Sequence, residues 1–363
     1  MAILVGMSEG LSQNNSKIIR DSNLELARIV AMLLVLVVHA CFRALGWPSH
    51  IELMEVPGFT ITKILVESLS IVCVNLFVLI SGWYGIHFKI KKLANLFFSV
   101  IFFSVLVYGL MISLGVEHLG VKGVASIFMF TEDYWFIKSY IVLMFISPVL
   151  NKFIETSTQK QLLTVVVSLL AFQTAYGWTD AAMEFKFGCS ALSFMVLYLL
   201  ARYIRLYADK FRNIGKIAFI VGYIISCLIT ASMALFSLKY PIFDDALSYV
   251  YAYTNPFTIF VSVCLLLFFS KLRFKSKLIN TVASSCFSVY LLHTSPFLFE
   301  RYCQTIRRIF FSGSSIISVI GMIFAFILAV FVVSVLLDLL RKALWSLIEN
   351  NVTKQSKCVF IHN

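Results

Sequence analysis

The sequence predicts an all-α fold, a polytopic membrane helix bundle of about ten transmembrane helices with both termini cytoplasmic. Three observations lead there. Of 363 residues, 60% are hydrophobic and only 13% are charged, and the mean hydropathy is +0.91, beyond the range of soluble domains. Apolar stretches of about 20 residues, the length a helix needs to cross a bilayer, recur along the chain. Six prolines and long runs of Phe, Leu, Ile and Val favour helices over barrel strands, which alternate in shorter segments.

In chain order, the first span, 24–44, opens at Glu25, and the ten residues between Arg28 and His39 are wholly apolar. The second, 62–83, holds most of the run "NLFVLISGWYG", and the third, 94–114, follows Lys89, Lys91 and Lys92. The fourth, 134–154, begins at Tyr134 and Trp135, and the fifth, 161–177, follows Lys160. The sixth, 188–207, ends in Arg202 and Arg205, and the seventh, 215–236, starts at Lys216. The eighth, 251–270, stops before Lys271, the ninth, 281–301, follows Lys277, and the tenth, 316–345, ends on Arg341 and Lys342. Residues 23–345 thus form one integral-membrane domain between a cytoplasmic N-terminal tail, 1–22, and a cytoplasmic C-terminal tail, 346–363.

The loops sort by charge. Twenty Lys and Arg residues fall on one side and eight on the other, with Arg28 and Lys138 left inside spans. The first side is therefore cytoplasmic, and an even number of spans agrees with it. Glu117, Glu132, Asp133, Asp180, Glu184, Asp244 and Asp245 all fall outside. The net charge of +12 reports this topology, so nucleic acid is not expected as a partner. The first 16 residues contain no Lys or Arg, and no cleavable signal peptide is expected. Eight scattered cysteines with no Cys-x-x-Cys pattern predict neither a metal site nor a disulfide framework.

Arg28 and His39 are ionisable groups at membrane depth, which makes them functional candidates by default. Eleven residues at 100° each exceed three helical turns by only about 20°, so both lie on one face, roughly 16 Å apart along the axis. Glu25, three residues before Arg28, shares that face and is placed to pair with the guanidinium. Taken alone, Arg28 also reads as a snorkelling anchor and His39 as a histidine bonded within the bundle.

The stretch "LELARIVAMLLVLVVH", residues 24–39, resembles the opening signature of the acyltransferase-three family of integral-membrane acyltransferases. In that signature an arginine is followed after ten residues by a histidine, with an acidic residue three before the arginine. "NLFVLISGWYG" (75–85), "YWFIKSYIVLMFISPVLN" (134–151) and "ASSCFSVYLLHTSPFL" (283–298) fit in the same order, and "YTNPFTIFVSVCLLLFF" (253–269) resembles the glycan-modifying members. Two positions depart from the pattern. Glu25 stands where aspartate is commoner, and Lys138 where a small or apolar residue is expected.

The resemblance implies transfer of an acetyl or similar acyl group from cytoplasmic acyl-CoA to a sugar hydroxyl of a surface polysaccharide or lipid-linked glycan, in the bacterial inner membrane. It implies no permanently bound cofactor. Arg28, with Glu25, would hold the anionic end of the donor. His39 would serve as general base or transient acyl carrier, since imidazole exchanges protons near neutral pH. Such a base needs a partner to set its tautomer, and Glu67, at similar depth in the second span, is the preferred candidate.

His293 belongs to the family motif and is expected at the acceptor site, or in a packing hydrogen bond. Asn75, Ser81 and Gly82 would let the coenzyme approach the second span, or serve helix packing. Trp135 and Tyr140 would stack on sugar rings, though an interfacial aromatic belt also explains Trp135. Arg301, Arg307 and Arg308 are the conspicuous positives outside. The alternative function is a secondary transporter or lipid-linked glycan flippase with Arg28, His39 and Glu67 lining its path. Such a protein would carry inverted repeats and Gly/Pro-broken spans, and the sequence displays neither.

Overall fold

The computed structural model describes residues 21–131, 134–179, 182–243, 246–313 and 315–361. Most of the expected N-terminal tail, the last two residues and five of the acids expected outside, Glu132, Asp133, Asp180, Asp244 and Asp245, lie outside the described residues. Every regular element among those described is helical. Seven helical stretches are long and apolar enough to cross a membrane: Ser22–Arg43, Pro57–Tyr84, Ile90–Ser113, Trp135–Thr156, Gln159–Trp178, Lys216–Lys239 and Ile317–Leu347.

The first of these is helix α1, Ser22–Val38, continued by a π-turn over His39–Arg43. The second is α2, Pro57–Ser70, and α3, Cys73–Tyr84, joined by a two-residue turn. Helix α4 covers Ile90–Ser113, and α5 Trp135–Thr156. Helix α6 spans Gln159–Phe172 and runs on into a second π-turn, Gln173–Trp178. Helix α7 is Ala191–Leu206, α8 is Lys216–Lys239 and α9 is Pro256–Ser270.

The expected ninth span, 281–301, is not one helix. It is broken into α10, Lys277–Ala283, α11, Cys286–His293, and α12, Phe299–Ser312. The two breaks have different causes. Ser284 and Ser285 interrupt the helix, and their hydroxyls accept hydrogen bonds from Lys342 Nζ, each at 2.7 Å. Beyond His293, Thr294 and Ser295 lead into Pro296, which lacks the amide hydrogen a continuing helix requires. The expected eighth span likewise starts late. Asn255 caps α9 by accepting from Phe257 N at 2.9 Å, with Pro256 at the first helical position, a favoured way to begin a helix. The last helix, α13, Ile316–Ile361, continues past the expected tail boundary at 345.

Helix α1 occupies the centre, packed against α2, α3, α9, α10, α11 and α13. Lipid is as apolar as the helices, so close contact and hydrogen bonds hold such a bundle together. Ala27, Ala31 and Leu36 of α1 are wholly buried. A Cβ on Gly82 of α3 would fall 2.7 Å from Ala201 Cβ and 2.8 Å from the Tyr198 carbonyl oxygen, so only glycine lets α3 and α7 close. At the start of α1, Asn23 Nδ2 donates to the carbonyls of Phe269, at 3.1 Å, and Leu272, at 2.9 Å, which ties α1 to the end of α9 and the residues just after it. Midway along α13, Arg341 pairs with Asp338 at 2.6 Å and reaches Asn95 of α4 at 3.0 Å, which ties two peripheral helices together inside the bundle.

Candidate active site

The functional geometry begins where α1 changes from α to π. A π-turn bonds i to i+5 and is common at functional sites. The turn is held from α12. Tyr302 donates its hydroxyl to the Leu36 carbonyl at 2.7 Å, and Arg307 Nε donates to the Ala44 carbonyl at 2.7 Å. Arg307, expected on the outer side, therefore braces the backbone, and its Nη1 also pairs with Glu300 at 3.0 Å.

His39, the first residue of the π-turn, meets His293, the last of α11, with Nδ1 and Nε2 2.9 Å apart. His293 Nδ1 lies 2.5 Å from the Val289 carbonyl oxygen. That arrangement dictates the tautomers of the neutral rings. A carbonyl only accepts, so His293 carries its hydrogen on Nδ1 and presents a lone pair at Nε2. His39 must then donate from Nδ1, which leaves its own Nε2 as a lone pair. Among the described residues that Nε2 has no hydrogen-bond partner, and His39 is only half-buried whereas His293 is buried. The ring of Phe299 stands edge-on to His39 at 5.2 Å and restrains it from a second side.

Glu67 is buried, with its carboxyl against the Cys41 thiol and the Phe42 amide. It does not bond His39. The position expected for Glu67, on the histidine's second nitrogen, is filled by His293, and Glu67 instead supports the π-turn one step further along. Its Oε2 has no hydrogen-bond partner among the described residues.

Trp135 and Tyr140 lie on one aromatic wall with the histidine pair. Phe136 packs on Tyr140 at 6.1 Å and on Tyr290 at 5.6 Å, and Tyr290 packs on His293 at 6.2 Å. Trp135 faces Tyr253 at 6.2 Å. Tyr134 enters α5 in the left-handed region, φ 58°, a conformation costing of order 1 kcal/mol or more for a residue with a side chain, and one that clusters at functional sites. The unexpected Lys138 hydrogen-bonds the Thr131 carbonyl, clasping the start of the same helix.

The three small and polar residues of α3 divide. Gly82 serves packing, as above. Asn75 is buried and donates to the Tyr253 carbonyl at 3.0 Å, which fixes the segment facing Trp135. That segment is also held by Gly188, whose φ of +96° and whose virtual Cβ, 2.4 Å from Tyr253 Cβ, both require glycine. Ser81 Oγ stands 3.3 Å from the Tyr140 hydroxyl and so belongs with the aromatic wall.

Arg28 and Glu25 pair at 2.6 Å as expected, Glu25 nearly inaccessible and Arg28 partly open. They lie in the first half of α1 and do not touch His39. Tyr84 and Arg205 share their surroundings. Arg205 itself lies over the Trp83 ring at 5.0 Å. The site thus has two poles on one helix, a basic one near the start of α1 and an imidazole one at its end. An open apolar groove of about 600 Å³ on α8, lined by Leu228, Phe236 and Val250 among others, contains no ionisable group. Among the described residues no cluster of His, Cys, Asp and Glu has the geometry of a metal site.

Sequence reasoning missed Tyr302 as a brace, and Arg43 as a neighbour of the imidazole pole. The spacing of Arg43, four residues after His39, was visible, but the π-turn that sets its direction was not. Comparison with curated proteins and with solved structures returns no significant match. The family model described as an acyltransferase domain matches residues 21–339, from the residue before α1 into the last span. The chain belongs to the acyltransferase-three family and is a multi-pass membrane acyltransferase.

Proposed function

We propose that this protein transfers an acetyl or similarly small acyl group from cytoplasmic acyl-CoA to a hydroxyl of a polysaccharide or lipid-linked glycan on the outer side of the bacterial inner membrane. Its ten hydrophobic stretches would all cross or enter the bilayer with both termini inside. The single observation supporting this most strongly is the His39–His293 pair, which leaves His39 Nε2 as a lone pair at the opposite end of α1 from Arg28.

The donor's phosphates bind at the basic pole, near Arg28, while its thin pantetheine arm extends along α1 towards His39. The acceptor hydroxyl hydrogen-bonds to His39 Nε2. As the hydroxyl oxygen attacks the thioester carbon, its proton passes to Nε2, and His39 becomes doubly protonated. His293 continues to accept from Nδ1 and so holds the cationic ring in place, the orienting role a second group plays for a catalytic histidine. Collapse of the tetrahedral intermediate breaks the carbon–sulfur bond, the proton goes to the departing sulfur, and the products are the sugar ester and the free thiol. His39 is the general base in this scheme, and His293 is a positioning residue rather than a sugar ligand. Trp135 and Tyr140 offer faces on which a sugar ring stacks. Mass analysis of surface glycan from cells with and without the gene tests this reading. It predicts an acyl ester that disappears with the gene, and identical glycans would refute it.

A further inference from the structure

Arg43 ends the π-turn that His39 begins, so its side chain starts about one turn beyond the base and on nearly the same side. It is exposed, and among the described residues it forms neither an ion pair nor a hydrogen bond. Five groups lie within reach of its charge: His39 on the same turn, Glu67 on α2, Cys189 before α7, Tyr253 before α9 and Cys303 on α12. These five come from different elements of the chain. The guanidinium thus stands, with His39, where these segments come together.

A second cation acts beside Arg43. Lys186 is exposed and acts on Cys189 together with Arg43. Glu67, the carboxyl on which the charge of Arg43 acts, is turned towards Cys41 and the Phe42 amide and forms no ion pair with Arg43. The π-turn carrying Arg43 is pinned at Leu36 and Ala44 by Tyr302 and Arg307, so the guanidinium is presented from a rigid base.

We infer that Arg43 is an anion-binding residue of the acceptor site, and that the acceptor bears a negative group, a sugar carboxylate or a phosphate, close to the hydroxyl that is acylated. The chemistry of the base supports this. Proton uptake by His39 leaves two cations about one turn apart in a poorly screened setting, and an anion seated on Arg43 offsets their repulsion during that step. A planar guanidinium also grips a carboxylate or phosphate through two parallel hydrogen bonds, which would fix the acceptor's register against Nε2. The inference rests on the proposed reading for the identity of the ligand as an acceptor. Its test does not use the donor.

The test is calorimetric binding to the full-length protein purified in detergent, with three probes: oligogalacturonate, an uncharged maltose oligomer of equal length, and glucose 1-phosphate. An anionic probe is expected to bind at least about tenfold more tightly than the uncharged one. Arg43→Gln should reduce that preference to within about twofold, and Arg43→Lys should retain part of it. Arg308→Gln, at an exposed outer arginine, should leave it unchanged. Preference for oligogalacturonate assigns the anion to an acidic sugar, and preference for glucose 1-phosphate assigns it to a phosphate. Equal binding of charged and uncharged probes, no binding of any probe, or a preference that survives Arg43→Gln in a variant with native melting temperature would overturn the inference. His39→Ala should keep the preference for anionic over uncharged probes while losing transfer, so loss of transfer and loss of anion recognition are separate results.

Discussion

His39 and His293 lie 254 residues apart in the chain and 2.9 Å apart in space, Nδ1 to Nε2. The pairing converts two ordinary imidazoles into a directional unit, because the Val289 carbonyl fixes one ring and that ring fixes the other.

His293 acts through His39, so its replacement should affect turnover more than binding. His293→Phe is expected to lower kcat for label transfer from acetyl-CoA by about 10²–10³-fold, the lower part of the roughly 10²–10⁴-fold that general acid–base assistance contributes, with the KM for the donor changed by less than about threefold. His293→Gln retains an oxygen able to accept from His39 Nδ1 and should recover part of that loss. If His293 merely packed α11, the two variants would be alike, and melting temperature would fall with activity.

The basic pole should show the opposite pattern. Arg28→Ala removes a partly open guanidinium paired with nearly inaccessible Glu25. The expected result is an increase of about tenfold in the KM for acetyl-CoA, equivalent to about 1.4 kcal/mol, with kcat affected less. Initial rates at varied donor concentration measure it. A loss confined to kcat would move Arg28 away from the donor.

Gly82 reports on the fold rather than the chemistry. Gly82→Ala places a methyl group 2.7 Å from Ala201 Cβ and 2.8 Å from the Tyr198 carbonyl. Neither neighbour is a flexible chain end, so α3 and α7 must separate, a strain costing typically 1–3 kcal/mol. Thermal unfolding in detergent should show a clear drop in midpoint. An unchanged midpoint would reopen a direct ligand role for this residue.

These tests separate what was legible in the sequence from what was not. Hydropathy located all seven of the long apolar helices, because a bilayer makes apolar length a strict requirement. The ends of elements were less legible. The break of the ninth stretch depends on Ser284 and Ser285 meeting Lys342 from α13, a contact 57 or 58 residues away that no local pattern carries. The Arg28–Glu25 pair could be read directly, since three residues on a helix fix both direction and distance. The partner of His39 could not. Depth alone made Glu67 a reasonable choice, but the π-turn directs its carboxyl to Cys41 and Phe42, and the decisive nitrogen belongs to a residue near the other end of the chain.

The π-turn itself should depend on its braces. Tyr302→Phe leaves the Leu36 carbonyl without the hydroxyl that reaches it at 2.7 Å, and a lost hydrogen bond of this kind is worth about 0.5–1.5 kcal/mol. The expected outcome is a modest fall in stability with a larger proportional fall in transfer, because His39 and Arg43 sit on the turn. Equal activity of the variant and the native protein would show that the turn holds its shape without α12.

The central claim is that His39 accepts the acceptor's proton. It is tested most directly by comparing native protein and His39→Ala in inside-out membrane vesicles supplied with acetyl-labelled acetyl-CoA. The account predicts equal amounts of folded protein in the membrane, and transfer of label to glycan reduced at least about 10³-fold in the variant. Transfer at the native rate by His39→Ala would contradict it.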